Sequence, residues 1–263
     1  MDTWNPDQYA KFQREREQPF ADLLALIEPA PAMRVADLGC GTGHLTRRLH
    51  EMLHSTETVG IDRSERMLEV ARRDGLPPGL RFDVGTIESF AGEAAYDLIF
   101  SNAAFHWVED HEALVRRLHA ALRPGGQLAF QIPAMHHAIS HALPDELASE
   151  PPFREAFGGW TRPQPVLEPE AYARLLFRAG FSEPKVRLVI YPHVLESREA
   201  VVEWMKGTLL TEYEKRLTPA QYADFVAAFR ERLLPRLDAD RPFLFPFRRI
   251  LCWGRKTESS KLR

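Results

Sequence analysis

The chain has 263 residues, of which 44% are hydrophobic and 27% charged, as in an ordinary globular protein. Its formal net charge of -3 argues against nucleic acid as the main partner, because phosphate backbones are bound by basic surfaces. We identify no secretory signal and no run near the ~20 apolar residues of a membrane span. Its two cysteines, Cys40 and Cys252, fit a reducing compartment. We therefore expect a cytoplasmic monomer that binds neither nucleic acid nor membranes.

The first predicted element is a helix between about 7 and 28, ended by Pro29 and Pro31. Short apolar runs then alternate with helical patterns. The predicted strands are 33–38, 58–61, 80–84, 96–101 and 127–132, and the helices between them are 44–53, 64–73 and 111–122. Strands that alternate with helices of this length indicate βαβ units and a parallel sheet. A turn is predicted at 123–126, directly before the fifth strand.

The second half of the chain has a different pattern. Residues 134–167 read as an irregular, partly helical connection, followed by a helix at 170–179 that ends at Gly180. The remaining predicted elements are a strand at 185–191, helices within 197–237 and a last strand at 243–254. Because these helices fall between two strands, we expect them to form a lid over the carboxyl edge of the sheet.

A glycine-rich turn is the most informative part of the sequence. Strand residues Val35–Leu38 lead into Gly39, Gly41 and Gly43, and a helix starts immediately afterwards. Glycines allow a tight turn and let a ligand approach the backbone, while the helix N-terminus favours an anionic group. Asp37, just before the turn, is expected to bind a ligand amine or to order the loop.

A second acid follows at the expected place. Asp62 ends the next predicted strand, nineteen residues after Gly43, where a carboxylate can accept hydrogen bonds from ribose hydroxyls. A dinucleotide site would need a third glycine at position 44, which is His44. The spacing instead resembles the first motif of class I S-adenosylmethionine methyltransferases. This resemblance implies an α/β fold with a doubly wound, Rossmann-like sheet of seven strands, mostly parallel, whose last strand is antiparallel.

A closer resemblance covers most of the chain. It is carried by Trp4-Asn5-Pro6, Tyr9, Phe12, Glu15, Arg16, 36–41, 60–64, Met67-Leu68, 97–103, His106-Trp107, Asp110-His111 and Gln131. These residues resemble the trans-aconitate 2-methyltransferase family, which methylates a carboxylate of trans-aconitate to a monomethyl ester. The family usually has an acid near the adenine amino group, where this chain has Thr86. The expected cofactor-binding residues are Asp37, Gly39, Cys40, Gly41, Gly43, Asp62, Arg63, Met67, Thr86, Ile87 and Asn102.

Methyl transfer to a carboxylate mainly requires alignment of the reactants, because an acceptor of pKa ~4 is already ionised at neutral pH. We therefore assign no catalytic residue. An anionic acceptor does need cations, preferably arginines. Strand alternation allows only one of Arg248 and Arg249 to face the site, and we favour Arg249 over a solvent-facing role. The expected substrate-binding residues are Trp4, Tyr9, Phe12, Arg16, His106, Trp107 and Arg249.

Other interpretations stay open. Each aromatic residue of this set also fits core packing, and His106 also fits a capping or core role. The acceptor could be another small molecule, such as a malonyl thioester, or the chain could bind S-adenosylmethionine without catalysis. His136, His137 and His141 have no carboxylate at metal-ligand spacing, so we predict no metal. The predicted arrangement is one domain, 1–263, with a helical cap at 1–31, a cofactor-binding core at 32–134 and the lid at 195–241.

Overall fold

The computed structural model describes residues 14–73 and 75–257, with side chains from Glu17 onward. Seven strands form one sheet in the order β3-β2-β1-β4-β5-β7-β6. The first five in this order are parallel to one another, and β7 runs antiparallel to β5 and β6. This confirms the predicted fold class. The strands are β1 (Arg34–Leu38), β2 (Glu57–Asp62), β3 (Leu80–Val84), β4 (Tyr96–Asn102), β5 (Leu122–Pro133), β6 (Phe181–Leu195) and β7 (Phe243–Lys256).

Helices connect the strands, and some of them begin at a side-chain cap. The side chain of Ser64 accepts from the backbone N–H of Met67, and that of Asp110 accepts from the N–H of Ala113. Such caps satisfy N–H groups that have no partner inside the helix. The helices are α1 (Arg14–Leu24), α2 (His44–Met52), α3 (Glu65–Arg72), α4 (His111–Ala121), α5 (Ile139–Ser149), α6 (Phe153–Ala156), α7 (Pro169–Arg178), α8 (Glu199–Lys206), α9 (Thr211–Glu214) and α10 (Pro219–Leu233). Short 3-10 helices lie at Phe105–Trp107 and Leu234–Arg236.

The sheet has a hydrophobic cluster on each face, because successive strand side chains point in opposite directions. In β1, Ala36 and Leu38 belong to one cluster and Val35 to the other. A separate cluster joins α5, α8 and α10 to the first half of β7. It includes Trp204, Phe225 and Phe247, all buried. We call this third group the outer cluster.

Several predicted bounds were wrong. The predicted turn at 123–126 lies inside β5 as a bulge, because Tyr96 pairs with Leu122 while Leu98 pairs with Gln127. Strand β6 is longer than predicted at both ends, since its pairing with β7 extends from Phe181 to Leu195. The connection at 134–167 contains α5 and α6. Within the described parts of the chain, no helix is long and apolar enough to cross a bilayer.

Candidate active site

The three glycines of the turn after β1 differ in the space around them. All three have positive φ, with 77° at Gly39, 56° at Gly41 and 72° at Gly43. A Cβ on Gly39 would lie 2.2 Å from the Cβ of Ala104, and one on Gly43 would lie 2.5 Å from Phe82 Cζ. At Gly41 no atom lies within 4 Å of that position. Packing thus requires the outer two glycines, whereas Gly41 borders open space.

Asp62, at the end of β2, holds this turn in place. Its Oδ2 accepts from the N–H of Gly41 at 2.9 Å, and its Oδ1 accepts from the N–H of Ser64 at 2.9 Å. Each carboxylate oxygen has a second lone pair that can accept from a ligand. The carboxylate also lines a cavity beside the turn, which we call the cofactor cavity. Asp62 can therefore order the loop and accept from ribose hydroxyls together.

Asp37 is almost fully buried beneath the turn. Its Oδ2 accepts from the hydroxyl of Thr46 at 2.6 Å, and its Oδ1 has no partner among the described residues. The pKa of the Asp37 carboxyl is raised to about 7, because burial and the charge of Asp62 raise it by more than the hydrogen bond from Thr46 lowers it. A ligand ammonium near Oδ1 would favour the ionised form. This orphaned oxygen fits the amino group of S-adenosylmethionine.

Most of the predicted cofactor residues surround the cofactor cavity. Asp37, Cys40 and Gly43 are not among its lining residues. The sulfur of Cys40 instead lies near Gly60 of β2, and Gly43 packs on Phe82. Sequence reasoning missed Glu88, which brings a carboxylate to the cavity two residues after Thr86. The predicted residues that do line it are Gly39, Gly41, Asp62, Arg63, Met67, Thr86, Ile87 and Asn102.

A second cavity, which we call the acceptor cavity, shares Ala103 and Trp107 with the cofactor cavity. Of the predicted substrate residues, it brings together His106, Trp107 and Arg249. Trp4, Tyr9 and Phe12 lie outside the described residues, and so does the side chain of Arg16, whose backbone is part of α1. Other residues of its wall come from distant parts of the chain, including Trp160, Arg162, Trp204, Arg216 and Phe247.

Arg249 is the cation placed deepest in this wall. Only 2% of the residue is exposed, and its guanidinium carbon lies 4.8 Å from the centre of the Phe247 ring. Its Nη1 donates to Oε1 of Gln131 at 3.2 Å. Arg248, its neighbour on β7, is not a lining residue of the cavity. Strand alternation therefore places one arginine of the pair at the site.

Two amides connect Arg249 to the cofactor cavity. An arginine can only donate, so Gln131 presents its oxygen to Arg249 and turns its amide nitrogen toward Asn102. That nitrogen donates to Oδ1 of Asn102 at 2.7 Å. With its oxygen used in this way, Asn102 has its amide N–H groups available as donors, and Asn102 lines the cofactor cavity. Arg249 thus fixes the donor-to-acceptor direction of the hydrogen bonds that run from Arg249 through Gln131 to Asn102, and so from one cavity to the other.

The wall of the acceptor cavity carries more cationic than acidic side chains: three arginines, Arg162, Arg216 and Arg249, against Glu109 and Glu212. The pKa of His106 is lowered to about 3, mainly by burial and to a lesser extent by charges that include those of Arg249 and Arg162. Burial and the charge of Arg162 likewise lower the pKa of His141 to about 3. Both imidazoles are therefore neutral at physiological pH. The part of both shifts that comes from Arg162 and Arg249 shows that the charges of these arginines reach the interior of the cavity, where they can attract an anionic ligand.

Two arginines in the wall carry no sequence motif, and sequence reasoning missed them. Arg162 forms a salt bridge with Asp145 at 2.6 Å and a hydrogen bond with the Tyr213 hydroxyl at 3.3 Å. Arg216 lies 3.8 Å from the centre of the Trp160 ring. Their positions depend on how the helices after β5 pack together. No pattern in their own segments indicates a role at the site.

Known proteins with similar sequences indicate the chemistry. A family described as "Methyltransferase domain" matches residues 35–126. The trans-aconitate 2-methyltransferase of Deinococcus radiodurans is 42% identical over 255 residues, which cover 95% of this chain and 96% of that protein. The enzyme of the same name from Variovorax paradoxus is 38% identical over 92% of this chain and 95% of its own length.

Solved structures agree in fold. The YcgJ protein of Bacillus subtilis superposes with a TM-score of 0.61 at 18% identity, over 92% of this chain and 99% of that one. Phosphoethanolamine N-methyltransferase 2 of Haemonchus contortus, solved with S-adenosylhomocysteine, has a TM-score of 0.56 at 15% identity, over 92% of this chain and 53% of that one.

The strand order, the glycine turn and Asp62 define a class I S-adenosylmethionine-dependent methyltransferase. Its sequence relatives are more specific. The chain belongs to the trans-aconitate 2-methyltransferase family, as its likeness to curated members extends over nearly its whole length. The predictions of the enzyme class and of the family are confirmed.

Proposed function

We propose that this enzyme transfers a methyl group from S-adenosylmethionine to a carboxylate of trans-aconitate, producing a monomethyl ester. One observation carries the proposal: a buried arginine, Arg249, lines a cavity that shares Ala103 and Trp107 with the cofactor cavity. The curated relatives are named for the same acceptor. We also propose that the protein acts as a monomer in the cytoplasm, where its two free cysteines stay reduced.

The residues of the acceptor cavity act by binding and orienting the acceptor. Arg249 holds one carboxylate with paired N–H groups, which are stronger donors than neutral ones. Bound S-adenosylmethionine supplies a methyl group on a cationic sulfur; an acceptor oxygen gains the O–C bond as the S–C bond breaks, leaving a neutral thioether. Positioning of this kind can lower the activation free energy by about 7–11 kcal/mol.

The site needs no general base. The acceptor carboxylate is ionised at neutral pH, so no proton has to leave it before the reaction. His106 stays neutral beside Arg249 and can donate or accept one hydrogen bond without adding charge. Asn102, whose oxygen is held by Gln131, keeps its N–H donors for an anionic group where the two cavities meet.

We further propose that 195–241 form a lid over the acceptor cavity and that the N-terminal cap at 1–31 closes it from another side. Trp204 and Arg216 contribute to the cavity wall from within the lid segment. Covering the site excludes water, which strengthens the attraction between Arg249 and the acceptor. The cap contributes Trp4, Tyr9, Phe12 and Arg16 in this proposal.

The test is methyl transfer from labelled S-adenosylmethionine to a panel of acids. The panel contains trans-aconitate, cis-aconitate, isocitrate and a malonyl thioester. We expect base-labile label with trans-aconitate and at least tenfold less with the other acceptors. Tight cofactor binding with no label on any of them would contradict the proposal. Preferential labelling of the thioester would show that the acceptor is a thioester and not trans-aconitate.

A further inference from the structure

Two imidazoles and one carboxylate form a cluster at the edge of the acceptor cavity. His136 and His137 lie in the loop after β5, and Glu168 directly precedes α7. The Nε2 atoms of both histidines lie 2.9 Å from the same atom, Oε1 of Glu168. The two segments are about thirty residues apart in sequence. Only the folded chain therefore brings the carboxylate to the histidines.

We propose that His136, His137 and Glu168 bind a divalent transition-metal ion of the Zn²⁺ type at the rim of the acceptor cavity. Two imidazole nitrogens with one carboxylate form a donor set that suits Zn²⁺ and its neighbours, whereas Mg²⁺ and Ca²⁺ prefer oxygen alone. In a tetrahedral site with bonds of about 2.0–2.2 Å, donor atoms are separated by roughly 3.4 Å. The three donor atoms all lie within 4.8 Å of one another, and the two N–O distances need to lengthen by about 0.5 Å to hold such an ion.

Hydrogen bonding alone gives little reason for this arrangement. The side chains of His137 and Glu168 are 65% and 53% exposed, and polar pairs so open to water contribute little to stability. The same exposure gives an ion a path from solvent. Three protein ligands also leave one coordination position for water or for an anionic ligand. Bound metal would therefore tie the loop after β5 to the start of α7.

The position of His136 gives the site a connection to the enzyme's chemistry. His136 lines the acceptor cavity, and its side chain is only 18% exposed. An ion held there adds positive charge to the rim of a cavity whose wall already contains Arg162, Arg216 and Arg249. Metal binding itself requires no methyl acceptor, so its test is independent of the identity of the acceptor.

Calorimetric titration of the full, chelator-treated chain with Zn²⁺ at pH 7.5 tests the site. We expect a specific site for one ion, with affinity reduced at least tenfold in both His137→Ala and Glu168→Gln. Two exposed residues outside the cluster provide matched controls, His54→Asn and Glu170→Gln on α7. Asparagine is chosen at position 54 because it tolerates the positive φ of 47° found there. Both controls should bind as the unaltered chain does.

Two further readouts separate a ligand set from nonspecific binding. Co²⁺ should give a visible absorption band of a low-coordinate ion in the unaltered chain and in both controls, but not in the two cluster variants. Zn²⁺ should raise Tm in the same three proteins only, because it links two segments of the folded chain. If no ion binds, or if either cluster variant keeps the affinity and the band, the proposal is wrong.

Discussion

The two cavities are built in different ways. The cofactor cavity depends on backbone geometry: three glycines with positive φ, and an acid at the end of β2 that holds the turn through N–H groups. The acceptor cavity depends on side chains from segments far apart in sequence, such as Trp107, Arg162, Arg216 and Arg249. A backbone site tolerates few substitutions and is shared by a whole class of enzymes, whereas a side-chain site can differ between relatives.

The largest effect is expected at Arg249. In Arg249→Ala we expect kcat/KM for the acceptor to fall about 10³-fold, since losing a buried charged partner costs ~2–5 kcal/mol. The dissociation constant of S-adenosylmethionine should change less than threefold. Initial rates and cofactor titration measure the two quantities separately. Arg248→Ala is the matched control on the same strand, and an equal loss there would contradict the assignment.

The glycine turn should respond differently at two neighbouring positions. Gly39→Ala places a methyl group 2.2 Å from Ala104 at positive φ, so we expect about 2–4 kcal/mol of lost stability and no detectable cofactor binding. Gly41→Ala has open space, so Tm should fall by only about 2–4 °C while cofactor affinity falls at least tenfold. Thermal unfolding and calorimetry distinguish these outcomes. Equal Tm values for the two variants would refute this account of the turn.

Gln131→Glu tests the connection between the cavities. A carboxylate at this position accepts from Arg249 and also from Asn102, so the Asn102 amide must turn its oxygen toward the cavity. We expect kcat/KM for the acceptor to fall roughly 100-fold, as for loss of an oriented donor.

Kinetic constants show whether Gln131 acts through orientation. Gln131→Met removes the same hydrogen bonds without adding charge and should raise KM for the acceptor less than Gln131→Glu does. Gln221→Glu, in the cap of α10, provides a distant control. Similar KM values for Gln131→Glu and Gln131→Met would show that only packing matters there.

The smallest effect, and the one that depends on pH, is expected at Asp37. Folding raises the pKa of this carboxyl to about 7, so its ionisation progressively destabilises the folded state as pH rises from about 4 to 7. Asp37→Asn should therefore raise Tm of the ligand-free enzyme by roughly 5 °C at pH 8 and by less at pH 5. The same variant should weaken S-adenosylmethionine binding about tenfold at pH 8, because a carboxylate partner is lost.

Cofactor affinity of the unaltered enzyme should also fall as pH drops below 7 and Asp37 becomes protonated. Calorimetry across pH 5.5–8.5 measures this, with Asp37→Asn expected to show a flatter profile. His106 and His141 provide the contrast, because their low pKa values keep both neutral over the same range. A pH-independent affinity in the unaltered chain would contradict the role given to Asp37.

The cofactor cavity could be predicted from the sequence more completely than the acceptor cavity. The glycine turn and Asp62 could be located because strand, turn and helix are contiguous, and the sheet followed from the alternation of elements. Arg249 could be selected because side chains alternate along a strand. Arg162 and Glu168 could not, since their positions depend on how 134–168 fold. The bulge in β5 was also missed, because Pro124 and Gly125 normally indicate a turn that precedes a strand.

The outer cluster has a consequence for the evolution of the enzyme. Its buried aromatic residues, among them Trp204 and Phe225, form a core of their own, distinct from the two clusters that stabilise the sheet. Substitutions there can alter the cavity wall without disturbing the packing around β1. Inherited changes of acceptor preference should therefore accumulate in this half of the molecule, while the cofactor half stays the same from one descendant enzyme to the next.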